Sequence, residues 1–306
     1  MKLIKQTCEP YIQSSGISGI YKQIERCGRT CYKSESNITE DSAKPFVDRM
    51  IKSNHLSMLE HGTVYLIITY NPYVEDLYNG LVSKYLRNPY SKVNFYPLKT
   101  DIAKSLSDQK IGEKVKVIKL EAYITTNMRV IIENKWDSDL KFLRDPTKFH
   151  VKRYTFRCTT ALHCYKDLTR HRKFSFAIES TRYCNYSNTG KFGEMTFILP
   201  TWIKEPIDTL QNSDIFAYRQ FYEHLENVEK TYDSLIEEGW KAQEAAEVLP
   251  QCIKADMIIT GFEGDWKHLL DLRYKGTTGA PHPMVKELAT LIKNELEKQG
   301  FTYEYC

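Results

Sequence analysis

The chain has 306 residues, 42% apolar and 27% charged, which is the range of ordinary globular domains and excludes a disordered, collagen-like or wholly coiled-coil protein. Lys plus Arg number 43 against 39 Asp plus Glu, a net +4 that is too weak to argue for nucleic acid but allows local pockets for small anions. No run approaches about 18 consecutive apolar residues, so no membrane span is expected, and the opening MKLIKQTCEP has no signal-peptide core.

The eight cysteines (8, 27, 31, 158, 164, 184, 252 and 306) are scattered, with no CxxC pair and no His at zinc spacing. No metal site is expected, and the thiols are expected to be reduced, in a cytoplasm. Cys27 and Cys31, four apart, suit one helix face. Residues 41–53 read as a helix, capped by Asp41 or Ser42, with Phe46, Val47, Met50 and Ile51 as its apolar stripe. The segment His55 to His61 follows. It gathers two imidazoles, the Ser57 hydroxyl and the Glu60 carboxylate, as a polar helix-to-strand connection or as the edge of a pocket. Thr63–Tyr70 reads as a strand. Residues 71–114 are irregular, with Asn-Pro at 71–72 and 88–89, and look like an insertion. Lys116–Ile124 and Met128–Ile132 are rich in β-branched residues and read as strands.

Val151–Thr160 alternates, with Tyr154, Phe156 and Cys158 on one face and Arg153, Arg157 and Thr159 on the other, as in a half-buried strand. His163–Arg172 reads as a short helix, and Met195–Leu199 as a strand stopped by Pro200. Phe221, Leu225, Val228, Tyr232 and Leu235 mark a long amphipathic helix ended by Gly239. A shorter helix covers 241–248, and a last one begins near Pro283 and turns Met284, Leu288, Leu291 and Ile292 inward. Strands precede most helices. The expectation is a mixed α/β (α+β) fold, one domain over 1–306 with a central sheet, flanking helices and an insertion at about 71–150.

The densest chemistry lies between Arg170 and Ser187. Arg170, His171, Arg172 and Lys173 are followed by Ser175, Glu179, Ser180, Arg182 and Tyr183. An Arg fork holds two phosphate oxygens at once, so Arg170, Arg172 and Arg182 converging would cradle a phosphate or pyrophosphate. Serine hydroxyls would add donors, and Glu179 would orient an Arg or accept from a base or ribose. A solvated basic turn is the plain alternative. A second cluster runs Asp265-Trp266-Lys267-His268 to Arg273. Trp266, Leu269, Leu270 and Leu272 should be core, and Arg273 must reach solvent or a partner.

These residues resemble the flavin-dependent thymidylate synthase family. Its signature is Arg-His-Arg, seven residues, then Ser-x-Arg-Tyr, and the chain has Arg170-His171-Arg172, seven residues, then Ser180-Thr181-Arg182-Tyr183. His55 to His61 is similar to the family's His-x-Thr-Pro-Phe-Glu-His, with Ser57 in the Thr place. Glu244 to Arg273 carries Leu249-Pro250 and Leu272-Arg273 at the family's spacing, and Arg29 to Tyr32 fits the end of its N-terminal helix. The resemblance implies an α/β fold peculiar to the family and a homotetramer. It implies that FAD, reduced by NADPH, takes part in moving a one-carbon unit from methylenetetrahydrofolate to dUMP, giving dTMP. It gives Ser57, Arg170, His171, Arg172, Glu179 and His268 to the flavin, and Asp167, Arg170, Glu179, Ser180, Thr181, Arg182 and Arg273 to the nucleotide. Arg273, against the uracil ring, and Ser180, as an orienting donor, are the candidate catalytic residues.

The chain departs from the family at several places. Ala177 and Ile178 stand where Asn and Glu are usual, with the carboxylate one place later at Glu179. Ala246 and Gly264 stand for arginines and Phe262 for a flavin-contacting Asn, so that Lys241 or Lys254 would have to replace a phosphate contact. The alternatives are a pyrimidine hydroxymethylase or methylase acting on dUMP or dCMP, and a non-catalytic nucleotide- or RNA-binding relative. A thiol route through Cys184 lacks an activating His or Asp, so Cys184 is expected to pack.

Overall fold

A computed structural model describes residues 1–70, 80–97, 120–187, 190 and 194–303. The expected insertion at 71–150 therefore lies partly outside the described residues, as do the start of the strand expected at Lys116 and the C-terminal Cys306. The described strands are β1 (Lys2–Ile4), β2 (Thr7–Pro10), β3 (Thr63–Tyr70), β4 (Lys92–Pro97), β5 (Leu120–Asn127), β6 (Arg153–Ala161), β7 (Ser175–Ile178), β8 (Thr196–Ile198) and β9 (Lys254–Phe262). Helices alternate with them, so the α+β expectation holds.

The chain forms two compact units. One comprises Met1–Tyr11, Arg26–Ile38 and Tyr154–Cys306; the other comprises Ile12–Glu25 and Thr39–Arg153. In the second unit, β3, β5 and β4 form an antiparallel sheet with β5 in the centre. Its core joins Leu66, Ile68 and Ile124 to Phe46 and Val47 of the helix Ala43–Lys52 and to Ile20 and Ile24 of the helix Gly16–Cys31. Gly62 makes that packing possible, because a Cβ there would come within 2.8 Å of the Ile20 and Ile24 side chains. Ser42 takes the N-cap position of Ala43–Lys52, but its hydroxyl is bonded to Glu25 and Thr39 and caps nothing.

Met128–Ile132, expected as a strand, is the helix Met128–Glu133. Asn127 ends β5, and its side chain accepts from the Val130 amide at 3.1 Å, which caps the turn that follows. A good cap and the burial of Met128, Val130 and Ile131 outweigh the β preference of branched side chains.

The first unit is built on a four-stranded sheet, β2-β6-β9-β7, with a separate parallel pair of β1 and β8. Tyr154, Phe156 and Cys158 of β6 join Met257 and Ile259 of β9 in one core. Trp266, Leu269 and Leu270 of the helix Glu263–Leu270 pack there, as do Met284, Leu288 and Ile292 of the helix Pro283–Lys298. The long helix Phe216–Glu237 turns Leu225, Val228 and Tyr232 into another cluster, and Gly239 closes it at φ 92°. Leu272, expected in the core, is half-buried, because the chain winds into a π turn over Asp271–Lys275 and leaves the α-helical face.

Candidate functional site

The turn between the helix Cys164–Leu168 and β7 places the Arg-His-Arg triplet. The His171 amide donates to the Leu168 carbonyl at 3.0 Å, and the Phe174 amide to that of His171 at 3.1 Å. Phe174 is driven inward, where its ring meets Trp266 at 4.6 Å between centroids; Trp266 in turn stands edge-on to Phe156 at 5.2 Å. Gly261 of β9 permits this approach, since a Cβ there would lie 2.4 Å from the Phe174 ring. Arg170 and Arg172 remain exposed.

Above these rings is a cavity of about 550 Å³, within the range of small-molecule and cofactor sites. Arg170, Arg172, Lys173 and Arg273 contribute four cations to its lining, and His171 and His268 two imidazoles 5.7 Å apart. Phe174 and Leu272 supply apolar wall, while Gly264 and Asp265 complete the rim. Asp265 and His268 lie one turn apart on the helix Glu263–Leu270, a spacing that could have marked this wall, whereas Leu272 joins it from the π turn. At Gly264 an added Cβ would meet nothing within 4 Å, so the place of the family's Arg is open space.

Arg273 finds its partners inside. Its Nε donates to Nε2 of His171 at 3.1 Å and its Nη2 to the Asp167 carbonyl at 2.9 Å, with the Asp167 carboxylate 3.7 Å from Nη1. Only 18% of the side chain is exposed. The surface alternative for Arg273 is thereby replaced by a fixed guanidinium. His171 accepts at Nε2, so its ring proton sits on Nδ1. Burial, then the neighbouring Arg273 and His268, hold its pKa down to about 4, so the imidazole is neutral at pH 7. Asp167, expected at the nucleotide, spends its carbonyl and carboxylate on Arg273.

The cavity thus unites Arg170, His171, Arg172, His268 and Arg273, with Asp167 behind Arg273. It does not include Glu179, Ser180, Thr181 or Arg182, which follow β7; four strand residues at about 3.3 Å each separate the two ends. Arg182 is exposed and donates to Gln243 at 3.0 Å. The Ser180 carbonyl receives the Tyr183 and Cys184 amides, and its own amide donates to Cys31. Ser57 lies in the other unit, exposed in the turn Leu56–His61.

Glu179 is fully buried in a charge network. One oxygen accepts from the Tyr186 hydroxyl at 2.8 Å and pairs with Lys33 at 3.0 Å; the other accepts from Lys254 at 2.7 Å and the Asp256 amide at 3.0 Å. Asp256 also receives Lys254, Arg157 and Thr159. Burial alone would raise its pKa, but Lys254 and then Arg157 outweigh burial and hold it at about 2. Lys254 is therefore committed, and does not stand in for the arginine replaced by Ala246. Cys184 is buried, and burial followed by the charge of Glu179 pushes its thiol up to about 11, which leaves it protonated at neutral pH.

Fold and cavity together define a mixed α+β protein with a basic pocket that has a partly apolar wall. The chain belongs to the thymidylate synthase complementing protein family, whose sequence profile matches residues 114–299. A flavin-dependent thymidylate synthase of Corynebacterium aurimucosum is 30% identical over 141 residues, 44% of this chain and 53% of that protein. The match thus spans about half the length of that curated relative. Among solved structures, the UMP/dUMP methylase PolB of Streptomyces cacaoi bound with 5-Br dUMP aligns over 97% of this chain and 93% of its own, at 14% identity and a TM-score of 0.42. Its complex with 5-Br UMP aligns over 97% and 92%, at 14% identity and 0.43.

Proposed function

We propose that the protein is a flavin-dependent thymidylate synthase, converting dUMP to dTMP with methylenetetrahydrofolate as one-carbon donor and NADPH as reductant. The observation that carries this reading is the joining of Arg170-His171-Arg172 and Arg273, far apart in sequence, in one cavity with Arg273 held on two anchors. The residues suit a flavin dinucleotide: exposed guanidinium forks at Arg170 and Arg172 match a pyrophosphate, and Phe174, Leu272 and the neutral His171 ring match a heteroaromatic ring. Bound there, the flavin supplies the redox chemistry, and the protein supplies position and charge.

Arg273 has the chemical task. A guanidinium fixed beside the uracil carbonyl and N3 stabilises negative charge as C5 becomes nucleophilic. His171 and Asp167 hold its plane without competing for protons, because one is a neutral acceptor and the other contacts it chiefly through a carbonyl. The Cys184 thiol takes no part. Homotetrameric assembly and a cytoplasmic location complete the proposal; among the described residues no helix is long and apolar enough to cross a membrane.

A second reading keeps the flavin and changes the pyrimidine or the group delivered, to dCMP or to a hydroxymethyl. Open space at Gly264 and the Ala246 replacement favour it. Mass spectrometry of the products from dUMP and dCMP separates the two. A dTMP mass from dUMP alone supports the synthase, and a hydroxymethylated or cytosine product supports the second reading.

A further inference from the structure

Arg273 sits in the π turn Asp271–Lys275, a geometry with poorer hydrogen bonding than an α-helix and usually confined to one turn. Relaxation to an α register would rotate the following side chains by about 100° around the axis. That would carry the Arg273 guanidinium away from His171 and Asp167. Something must hold the wider turn. Its end is fixed by Gly276 at φ 76°, where the amides of Gly276 and Thr277 both donate to the Asp271 carbonyl, at 3.0 and 3.1 Å. Its start is fixed by the Tyr303 hydroxyl, which donates to Asp271 Oδ1 at 2.7 Å. The Tyr303 ring also stands edge-on to Tyr274, the neighbour of Arg273, at 6.2 Å.

Tyr303 is brought there by the way the last helix ends. After Pro283–Lys298 the Gly300 amide donates to Glu297 and the Phe301 amide to Leu296, with Gly300 at φ 78°. This is a Schellman cap, and its apolar contact is the buried pair Leu296 and Phe301. The cap turns the chain back so that Phe301 and Tyr303 enter the core of the same unit. We infer that Tyr303 is a positioning residue for Arg273, acting through Asp271 to lock the π turn in which that guanidinium is presented. The inference rests on the function proposed above for the cavity.

Tyr303→Phe removes only the hydroxyl. The variant should keep the parent's melting temperature to within a few degrees and its flavin uptake. It should lower kcat for dTMP about tenfold with the KM for dUMP little changed, the pattern of an interaction needed in the transition state. In an Arg273→Lys background the same change should cost nothing further. A kcat within about twofold of the parent's, or an equal loss in both backgrounds, overturns the inference. A parent protein that makes no dTMP contradicts the proposed function alone. The anchor is then judged by the NMR signal of the Arg273 Nε–H, slowed in exchange by its bond to His171. A signal present in the parent and lost in Tyr303→Phe supports the lock, and an identical signal in both overturns it.

Discussion

Replacing Arg273 by Ala separates the chemistry of the cavity from its architecture. The substitution deletes donors to His171 at 3.1 Å and to the Asp167 carbonyl at 2.9 Å. Bonds to charged groups contribute about 1.5–3 kcal/mol each, but His171 lines the cavity and Asp167 is only half-buried, so water can replace the lost donors and the net structural cost should be about 1–2 kcal/mol. The chemical cost is larger. Removing one preorganised stabiliser of developing charge typically lowers kcat about 100- to 1,000-fold, equivalent to about 2.7–4 kcal/mol. The assay is single-turnover dTMP formation from dUMP in protein already loaded with flavin, beside a thermal melt. The reasoning requires a turnover loss of at least about 100-fold with a melt that still shows one cooperative transition. Turnover within about threefold of the parent's would refute it, because the guanidinium would then contribute little of that stabilisation.

Cys184→Ala should retain more than about half of the parent turnover, since burial leaves this thiol protonated; a loss matching that of Arg273→Ala would restore the thiol route. Glu179→Ala should destabilise the fold by about 3 kcal/mol or more in urea melts, because it leaves Lys33 and Lys254 short of a buried counter-charge; an unchanged midpoint would contradict the network. The His171 ring, followed by NMR, should titrate near pH 4. Because that pKa is depressed, its contribution to stability is fully present above the unfolded value of about 6.5 and is lost as pH falls through about 4; a midpoint at or above 6.5 would show a ring not gripped by burial and Arg273.

The parts of the site legible in the sequence were those set by short-range spacing. Arg170-His171-Arg172 sits in one turn, and the apolar run through Trp266, Leu269 and Leu270 forces Arg273 to an edge where it needs a partner. That His171 is this partner was invisible, because 102 residues separate the two. The π turn was hidden for another reason: one added residue per turn leaves no mark on the periodicity of an eight-residue helix. Strand β9 went unnamed because it is buried along nearly its whole length and so lacks alternation. Glu179 was legible as a carboxylate near cations, but not that Lys33, Lys254 and Tyr186 converge on it in the interior. Met128–Ile132 shows the opposite failure, where branched side chains spoke for a strand and one capping amide acceptor, Asn127, decided for a helix.

The most direct test is the absorbance spectrum of the purified protein titrated with FAD, followed by supply of NADPH, methylenetetrahydrofolate and dUMP. The account predicts a yellow complex with bound-flavin bands, weakened when Arg170 and Arg172 are both changed to Ala, and dTMP formed only when all three co-substrates are present. A folded protein that takes up no FAD, or binds it equally well without those two arginines, would contradict the claim that this cavity holds the cofactor.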